Sequence, residues 1–487
     1  FISEKHREQK QRLQEITQKE KDDDLYREQI RIVSRELNKI SRNISGELLL
    51  LRNKMLKECL EKELPAELES LVTMGRDLQT EMSDLLDYSN MISGKLSTQA
   101  ERYELVDLMA ELKQERQVHN LEQVPDIIVE LDPRTPKALV GDRDILLTIL
   151  RHLMDNGIRY THDGGLRVKL YTTFSGEDCN LCMEVNDTGI GIEKTDLERL
   201  KEQIDDRRTA GYRPGGLGLG LFLVGGFLRA LGGFYRIESE WGNGTTVCVS
   251  VPQRVSDAAP CLSFDRKVMV CLVYENRKYK NDRLDGFYEE LFRTFSEKLG
   301  IPAYAISSRE ELEELARAYS KVCLIVENDY YDVNRSYYDD LDVYLVILSR
   351  FGYKLPEDSK GHILYKSFGT VELLHLVEAA AKTVDRRRKS EEQPAAVPED
   401  LHAETLTQRE IRKHGNRAVM IVTDSMADLV PEVSRKRGIP IIPFRIFTEH
   451  ASFLDGVEMS QECALNYFDE NHSMHSMAPE EEEVRLI

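Results

Sequence analysis

The sequence predicts a multidomain chain, a helical hairpin followed by three α/β units. Three observations predict it. Over the first hundred residues, apolar side chains recur at heptad spacing. Beyond residue 98, helical segments alternate with short β-rich runs. That alternation restarts twice, each time after a polar, Pro-bearing stretch. A length of 487 residues suits three or four domains of about 100–200 residues each.

Composition narrows the function classes. The chain is 41% hydrophobic and 31% charged, enough to bury several cores and stay in solution. A net charge of −20 argues against nucleic acid as a partner, because phosphate contacts need a basic surface. No apolar run reaches the ~18–20 residues of a membrane span and no stretch reads as a signal peptide, so the expected location is cytoplasmic. The chain opens at Phe1 inside a charged helix and ends in "MAPEEEEVRLI", which reads as a fragment whose N-terminal part, a membrane-anchored one, is missing. Of eight cysteines, Cys179 and Cys182 form a CxxC on a strand. No second pair completes a zinc site, so they are expected to be reduced structural thiols.

Residues 1–97 are predicted helical. Ile30, Leu37, Ile44 and Leu51 repeat every seven residues, with Val33 and Ile40 between them, as an a/d seam. Pro65 breaks the helix, and Leu68, Leu71, Met74, Leu78, Met82 and Leu85 make a second stripe. One hairpin cannot bury both stripes, so a homodimer forming a four-helix bundle is expected.

Residues 98–253 read as an α/β layer domain with strands "PDIIVEL", "LRVKLYTTF", "NLCMEVND", "FYRIES" and "TTVCVSVP", closed by a linker "QRVSDAAP". Residues 267–384 show a βαβ rhythm that predicts a doubly wound parallel sheet. Residues 385–417 are a charged linker, and 418–487 begin a third α/β unit.

"GGLGLGLFLVGG", residues 215–226, places six glycines in twelve positions. A glycine-rich stretch opening a helix offers free N–H groups and a dipole that favour phosphate. Three further stretches belong with it: "HLMDNGIRYT" with Asn156, "NDTGIGI" with Asp187, and "WGNGTTVCVSVP". In order and spacing the four resemble the N, G1, G2 and final boxes of the GHKL ATPase fold, in its histidine-kinase form, over residues 140–252. The resemblance implies an α/β sandwich that binds ATP and Mg²⁺. It makes Asp187 the acceptor for the adenine amine, with Gly189 and Gly191 passing the backbone beneath the base. It makes Asn156 the Mg²⁺ ligand, and Gly216, Gly218 and Gly220 the phosphate cradle. Arg159 and Tyr160 would flank phosphate and ribose, and Arg213, in a lid over 193–214, would reach the γ-phosphate. Two departures stand out. His152 occupies a position where Asn or Glu is usual, reading equally as a structural helix residue, and the lid has no aromatic F box. Nucleotide binding therefore looks better preserved than turnover.

The hairpin resembles the dimerisation and phosphotransfer domain of the same family through "VSRELNKI" and "DLLDYSNMISGKL". The expected phosphoacceptor His is replaced by Arg35, between Ser34 and Glu36, and Lys39 stands where Thr or Asn is usual. Arg stays protonated and cannot attack phosphorus. Arg35 reads either as an electrostatic partner of nucleotide phosphate or as a solvated helix residue.

Residues 267–384 resemble a receiver domain. Glu327 stands at the phosphoacceptor Asp position, Tyr274 and Glu275 at the acidic pair, and Ser349 and Lys366 at the switch positions. A Glu327–Lys366 pair would mimic phosphorylation, or the domain is a degenerate docking module, which we favour. Residues 418–487 resemble the opening of DegV, a family of fatty-acid-binding proteins, through "IVTDSMADL", "GIPIIPFRI" and "LDGVEMS". Ser476 falls at the lipid-carboxylate motif, with His475 in place of Thr, and the second half of the domain is absent.

The reading is an ATP-binding signal-transduction protein of the histidine kinase, two-component phosphorelay family, degenerate in its His and Asp acceptors. Its partners would be a second copy and a response regulator or other signalling protein. The alternatives are a non-catalytic scaffold gated by ATP, and a fatty-acid-binding protein with a regulatory kinase-like module.

Overall fold

Alternation of apolar and polar residues dictates most of what the computed structural model contains. It describes residues 44, 46, 66–117, 125–175, 178–205, 219–264, 270–275, 282–306, 308–319, 321–350 and 352–382, with short stretches between 423 and 477. The heptad seam upstream of Pro65, with Arg35 and Lys39, lies outside the described residues apart from Ile44. Chain contacts divide the molecule into two units, Phe1–Gln99 with Glu202–Ala230, and Ala100–Lys201 with Leu231–Ile487.

In the first unit, a helix spans Ala66–Ile92 and carries the second apolar stripe. Leu71, Met74 and Leu78 of that stripe are exposed. The glycine-rich stretch supplies a helix over Leu219–Leu231. A side chain at Gly226 would collide with Met91, and one at Gly225 with Ile204. Close helix packing is therefore the reason for the second glycine pair. Tyr88 and Phe222 meet with ring centroids 5.6 Å apart, and Arg229 Nη1 donates to the Ile204 carbonyl at 2.7 Å.

In the second unit, seven strands form a mixed sheet: β1 (Glu101–Glu104), β2 (Asp126–Leu131), β3 (Pro136–Gly141), β4 (Gly165–Ser175), β5 (Asp178–Asp187), β6 (Phe234–Ser239) and β7 (Thr245–Pro260). Their order is β1-β3-β7-β5-β4-β2, with β6 beside β7. Helices α1 (Leu105–Gln117) and α2 (Arg143–Tyr160) accompany it. β5 alternates: Leu181, Met183 and Val185 join Leu166, Val168 and Leu170 of β4 in the buried core beneath Leu146, Leu150 and Leu153 of α2. Asp142 caps α2, its Oδ1 accepting the Ile145 N–H at 3.0 Å.

The segment "QRVSDAAP", read from sequence as a linker, is instead the second half of β7. It pairs antiparallel with β3 through a bulge between Pro136 and Leu139. Its Ser, Asp and Pro suggest a turn locally, but a waiting strand decides the conformation.

The next five strands are all parallel: β8 (Val270–Glu275), β9 (Ala303–Ile306), β10 (Lys321–Glu327), β11 (Tyr344–Ser349) and β12 (His362–Tyr365), in the order β12-β11-β10-β8-β9. That is the doubly wound pattern, with crossovers α3 (Asp282–Leu299), α4 (Arg309–Ala318) and α5 (Asn328–Asp340), and α6 (Thr370–Lys382) after the last strand. α5 has no apolar stripe to betray it. It buries Tyr331 and Tyr338 against Leu324, Val326 and Ile347.

This sheet meets β2, an edge strand of the first sheet. The N–H groups of Ile127, Val129 and Leu131 go to Ser367 Oγ (3.0 Å), Phe368 O (3.3 Å) and Thr370 Oγ1 (3.1 Å). Every second donor of the edge is thereby satisfied. Ser367 adopts φ 72°, and Gly369 lies so close to Val129 that a Cβ would strike its backbone.

Short strands follow toward the C-terminus: β13 (Thr423–Asp424), β14 (Ile441–Ile442), β15 (Arg445–Phe447), β16 (Ser452–Leu454) and β17 (His475–Met477). β13 pairs with β14, and the other three form a sheet of order β16-β15-β17. Among the described residues, no helix is long and apolar enough to cross a membrane.

Candidate nucleotide site

α2 places Asn156, Arg159 and Tyr160 at i, i+3 and i+4, hence on one helix face. Asn156 and Tyr160 are half-buried and Arg159 is exposed. The end of α2 is tied to the loop after β5, where the Ile190 N–H donates to the Tyr160 carbonyl at 3.2 Å. β5 ends in Asp187, which is 7% exposed. Its Oδ1 accepts the N–H of Gly189 at 2.8 Å and the N–H of Thr245 at 3.2 Å. Two backbone donors from different loops therefore fix this carboxylate through one of its oxygens.

The loop closes on the β6–β7 hairpin. The Gly242 N–H donates to Ile190 O at 2.6 Å, and the Ile192 N–H to Ser239 Oγ at 2.8 Å. Gly165 N donates to Thr188 Oγ1 at 3.0 Å. Gly191 (φ 68°) and Gly244 (φ 77°) adopt left-handed backbone. A Cβ at Gly191 would meet the Glu240 backbone, at Gly244 the Asp187 backbone, and at Gly189 the Tyr160 carbonyl. The structure thus brings together Tyr160, Asp187, Gly189 and Gly191, with Asn156 one turn before Tyr160 on α2. Thr245 and Ser239 join them, missed from sequence because they act through a backbone N–H and through a hydroxyl bound to backbone.

Arg213, Gly216 and Gly218 lie outside the described residues. Gly220 lies in the helix Leu219–Leu231 of the first unit. His152 is buried on α2, and burial pushes its pKa down to about 4, so it is neutral at pH 7. Cys179 and Cys182 project from opposite faces of β5, which is not a chelating arrangement. Burial raises Cys179 to about 12 and Cys182 well above the ordinary thiol value, leaving both inert.

In the parallel sheet, Glu327 ends β10 and its Oε1 sits 3.0 Å from Lys366 Nζ. Ser349 ends β11, and its carbonyl accepts the Lys366 N–H at 2.8 Å. These three therefore converge at one sheet end. The side chains of Tyr274 and Glu275 are outside the described set. Ser476 is exposed on β17, paired in register with Ile446.

Residues 141–255 match the family model "Histidine kinase-, DNA gyrase B-, and HSP90-like ATPase". Among curated proteins, the autoinducer 2 sensor kinase/phosphatase LuxQ of Vibrio cholerae is 29% identical over 220 residues, covering 42% of this chain and 25% of the relative. The histidine protein kinase DivJ of Caulobacter vibrioides is 41% identical over 112 residues, covering 23% of this chain and 18% of DivJ. The alignments thus span about a quarter of LuxQ and less of DivJ. Among solved structures, full-length ShkA in complex with AMPPNP has a TM-score of 0.52 at 19% identity, covering 73% of each chain. That likeness is one of fold.

Proposed function

From an ATPase-family domain at residues 141–255, we propose that this chain binds ATP with Mg²⁺ and signals as a histidine-kinase relative whose nucleotide binding has outlived ordinary phosphotransfer. The ATPase family match and the resemblance of the four sequence boxes support the nucleotide. The local geometry supports it further, because Gly189 and Gly244 let the backbone close tightly around Asp187, where a side chain would strike the Tyr160 carbonyl or the Asp187 backbone. Asp187 would accept from the adenine amine, a contact that selects adenine over guanine. Asn156 would offer a hard oxygen to Mg²⁺, Arg159 and Tyr160 would flank phosphate and ribose, and Gly216, Gly218, Gly220 and Arg213 would hold the phosphates. Bound ATP supplies a transferable γ-phosphoryl group.

The sequence offers that group no ordinary acceptor, since Arg35 replaces the His and Glu327 the Asp. Nucleotide would then act through different affinities for two conformations. Partners of this reading are a second copy, through the exposed stripe on Ala66–Ile92, and a downstream signalling protein. The receiver-like sheet acts as a docking module, consistent with its hydrogen bonds to β2.

The oriented carboxylate of Asp187 carries the reading. Titration of a fluorescent ATP analogue with Mg²⁺ is expected to show binding that weakens about 100-fold or more in Asp187→Ala, the loss of a charge-assisted contact. Unchanged affinity would refute it. Incubation with γ-labelled ATP separates the two modes, since covalent label absent from Asp187→Ala means phosphotransfer, and binding without label means a nucleotide switch.

A further inference from the structure

The second face of the first sheet, turned away from α2, presents Thr173 of β4, Asn180 and Cys182 of β5, and Ser250 of β7 as neighbours in register. None carries charge, yet Asn180, Cys182 and Ser250 are buried. A solvated sheet face has no need to bury such groups. What covers them is the C-terminal α/β segment of the same unit, through Glu458.

Glu458 is 0% exposed. Its Oε1 accepts from Thr173 Oγ1 (2.5 Å), Ser250 Oγ (3.0 Å), Asn180 Nδ2 (3.2 Å) and Cys182 Sγ (3.3 Å). Its Oε2 accepts the Leu454 N–H at 2.7 Å, which fixes the carboxylate within its own turn. Asn180 also donates to Ser452 O at 2.6 Å. Around this centre, Phe453 stands edge-on to Phe234 with centroids 4.6 Å apart. Cys463 Sγ donates to Tyr235 O at 3.3 Å, and Arg445 Nη1 to Phe174 O at 3.0 Å. A fully buried carboxylate whose hydrogen bonds are met across the seam, with an edge-on aromatic pair beside it, ties the two segments together at a defined position.

We propose that Thr173, Asn180, Cys182 and Ser250 form a carboxylate receptor on the ATPase domain, and that the C-terminal segment docks there with Glu458 as its plug. The site is independent of the nucleotide reading, because Asp187 faces the opposite side of β5. Its ligand chemistry is one side-chain carboxylate presented at the tip of a turn, met by neutral donors. Neutral donors make the fit selective: a cationic tip would meet the same hydroxyls without an anion to pair with.

Three thiols make the test direct. Cys182 and Cys463 lie in the seam, one on each side, and Cys179 lies on the core face of the same strand. The full chain is pulsed with a maleimide and each cysteine is quantified by mass spectrometry. In the native sequence all three are expected to be protected. In Glu458→Lys, Cys182 and Cys463 should label about 100-fold faster while Cys179 stays protected, as local opening requires. Rapid labelling of Cys182 in the native chain, or protection of both seam thiols in Glu458→Lys, would overturn the proposal. Where Glu458→Lys also opens Cys179, Glu458→Gln decides. Release of Cys182 ahead of Cys179 supports the docking site, and simultaneous release overturns it.

Discussion

Asp126 and Glu458 are both carboxylates buried between packed α/β layers, and they sit there on different terms. Glu458 receives five hydrogen bonds from neutral donors. Asp126, at the start of β2, accepts from Tyr288 Oη at 3.1 Å, with Lys366 and Arg350 near enough to be felt. Burial nonetheless raises its pKa above the ordinary carboxylate value. The edge seam around Asp126 is held mainly by backbone N–H groups, and its carboxylate is a cost. The face seam is held by side chains that converge on one carboxylate, which is its anchor. Two interfaces in one chain can therefore hold the same functional group on different terms, one carboxylate met by five hydrogen bonds and the other by one from Tyr288.

The comparison breaks most readily at Gly369. Gly369→Val would drive side-chain atoms into the Val129 backbone and is expected to cost about 3 kcal/mol, near the top of overpacking effects. Thermal unfolding and amide exchange should show it, with the Ile127, Val129 and Leu131 amides losing protection while seam thiols Cys182 and Cys463 keep theirs. A loss of protection at both seams would mean they are not separate.

Asp126→Asn sharpens the contrast from the side of β2. Because the folded pKa is raised, the contribution of this group favours folding below its unfolded pKa and is lost as pH rises through the folded value. Asparagine keeps an acceptor for Tyr288, so Asp126→Asn should stabilise the chain by about 1 kcal/mol at pH 7 and gain nothing at pH 3. Destabilisation at pH 7 in urea titrations would show that the Lys366 and Arg350 attraction wins instead.

The smallest effect is expected at Ser367. Its left-handed backbone favours glycine, but its hydroxyl accepts the Ile127 N–H. Loss of that bond and relief of strain oppose each other, so Ser367→Gly should shift stability by no more than about 0.5 kcal/mol. A change well beyond that, in the same titration, would show that one of the two terms dominates.

What the sequence made legible follows from period and spacing. "NLCMEVND" alternates, and β5 puts Leu181, Met183 and Val185 in the core. Asp187, Gly189, Gly191 and Asn156 were singled out because a motif fixes residue types at fixed intervals; the structure shows the Gly189 N–H on the Asp187 carboxylate, and their part in holding nucleotide is the proposal made above. Asn328–Asp340 was not readable as a helix. Asn, Asp and Tyr are indifferent helix formers, and only the packing of Tyr331 and Tyr338 makes them one. The second half of β7 was hidden for a similar reason, since its strand character comes from β3. Thr245 was invisible because its contribution is a main-chain N–H. Glu458 looked like one acidic residue among many, since its side-chain partners lie 208 to 285 positions away.

The covering of β2 by residues 367–370 also bears on how this protein behaves when cut. A fragment ending near residue 264 would take the acceptors away from the Ile127, Val129 and Leu131 N–H groups. A bare ladder of that kind recruits another strand, and the nearest supply in a concentrated solution is a second fragment. Anyone expressing the first sheet by itself should expect self-association through β2, and would find the remedy downstream, in a segment that belongs to the next sheet.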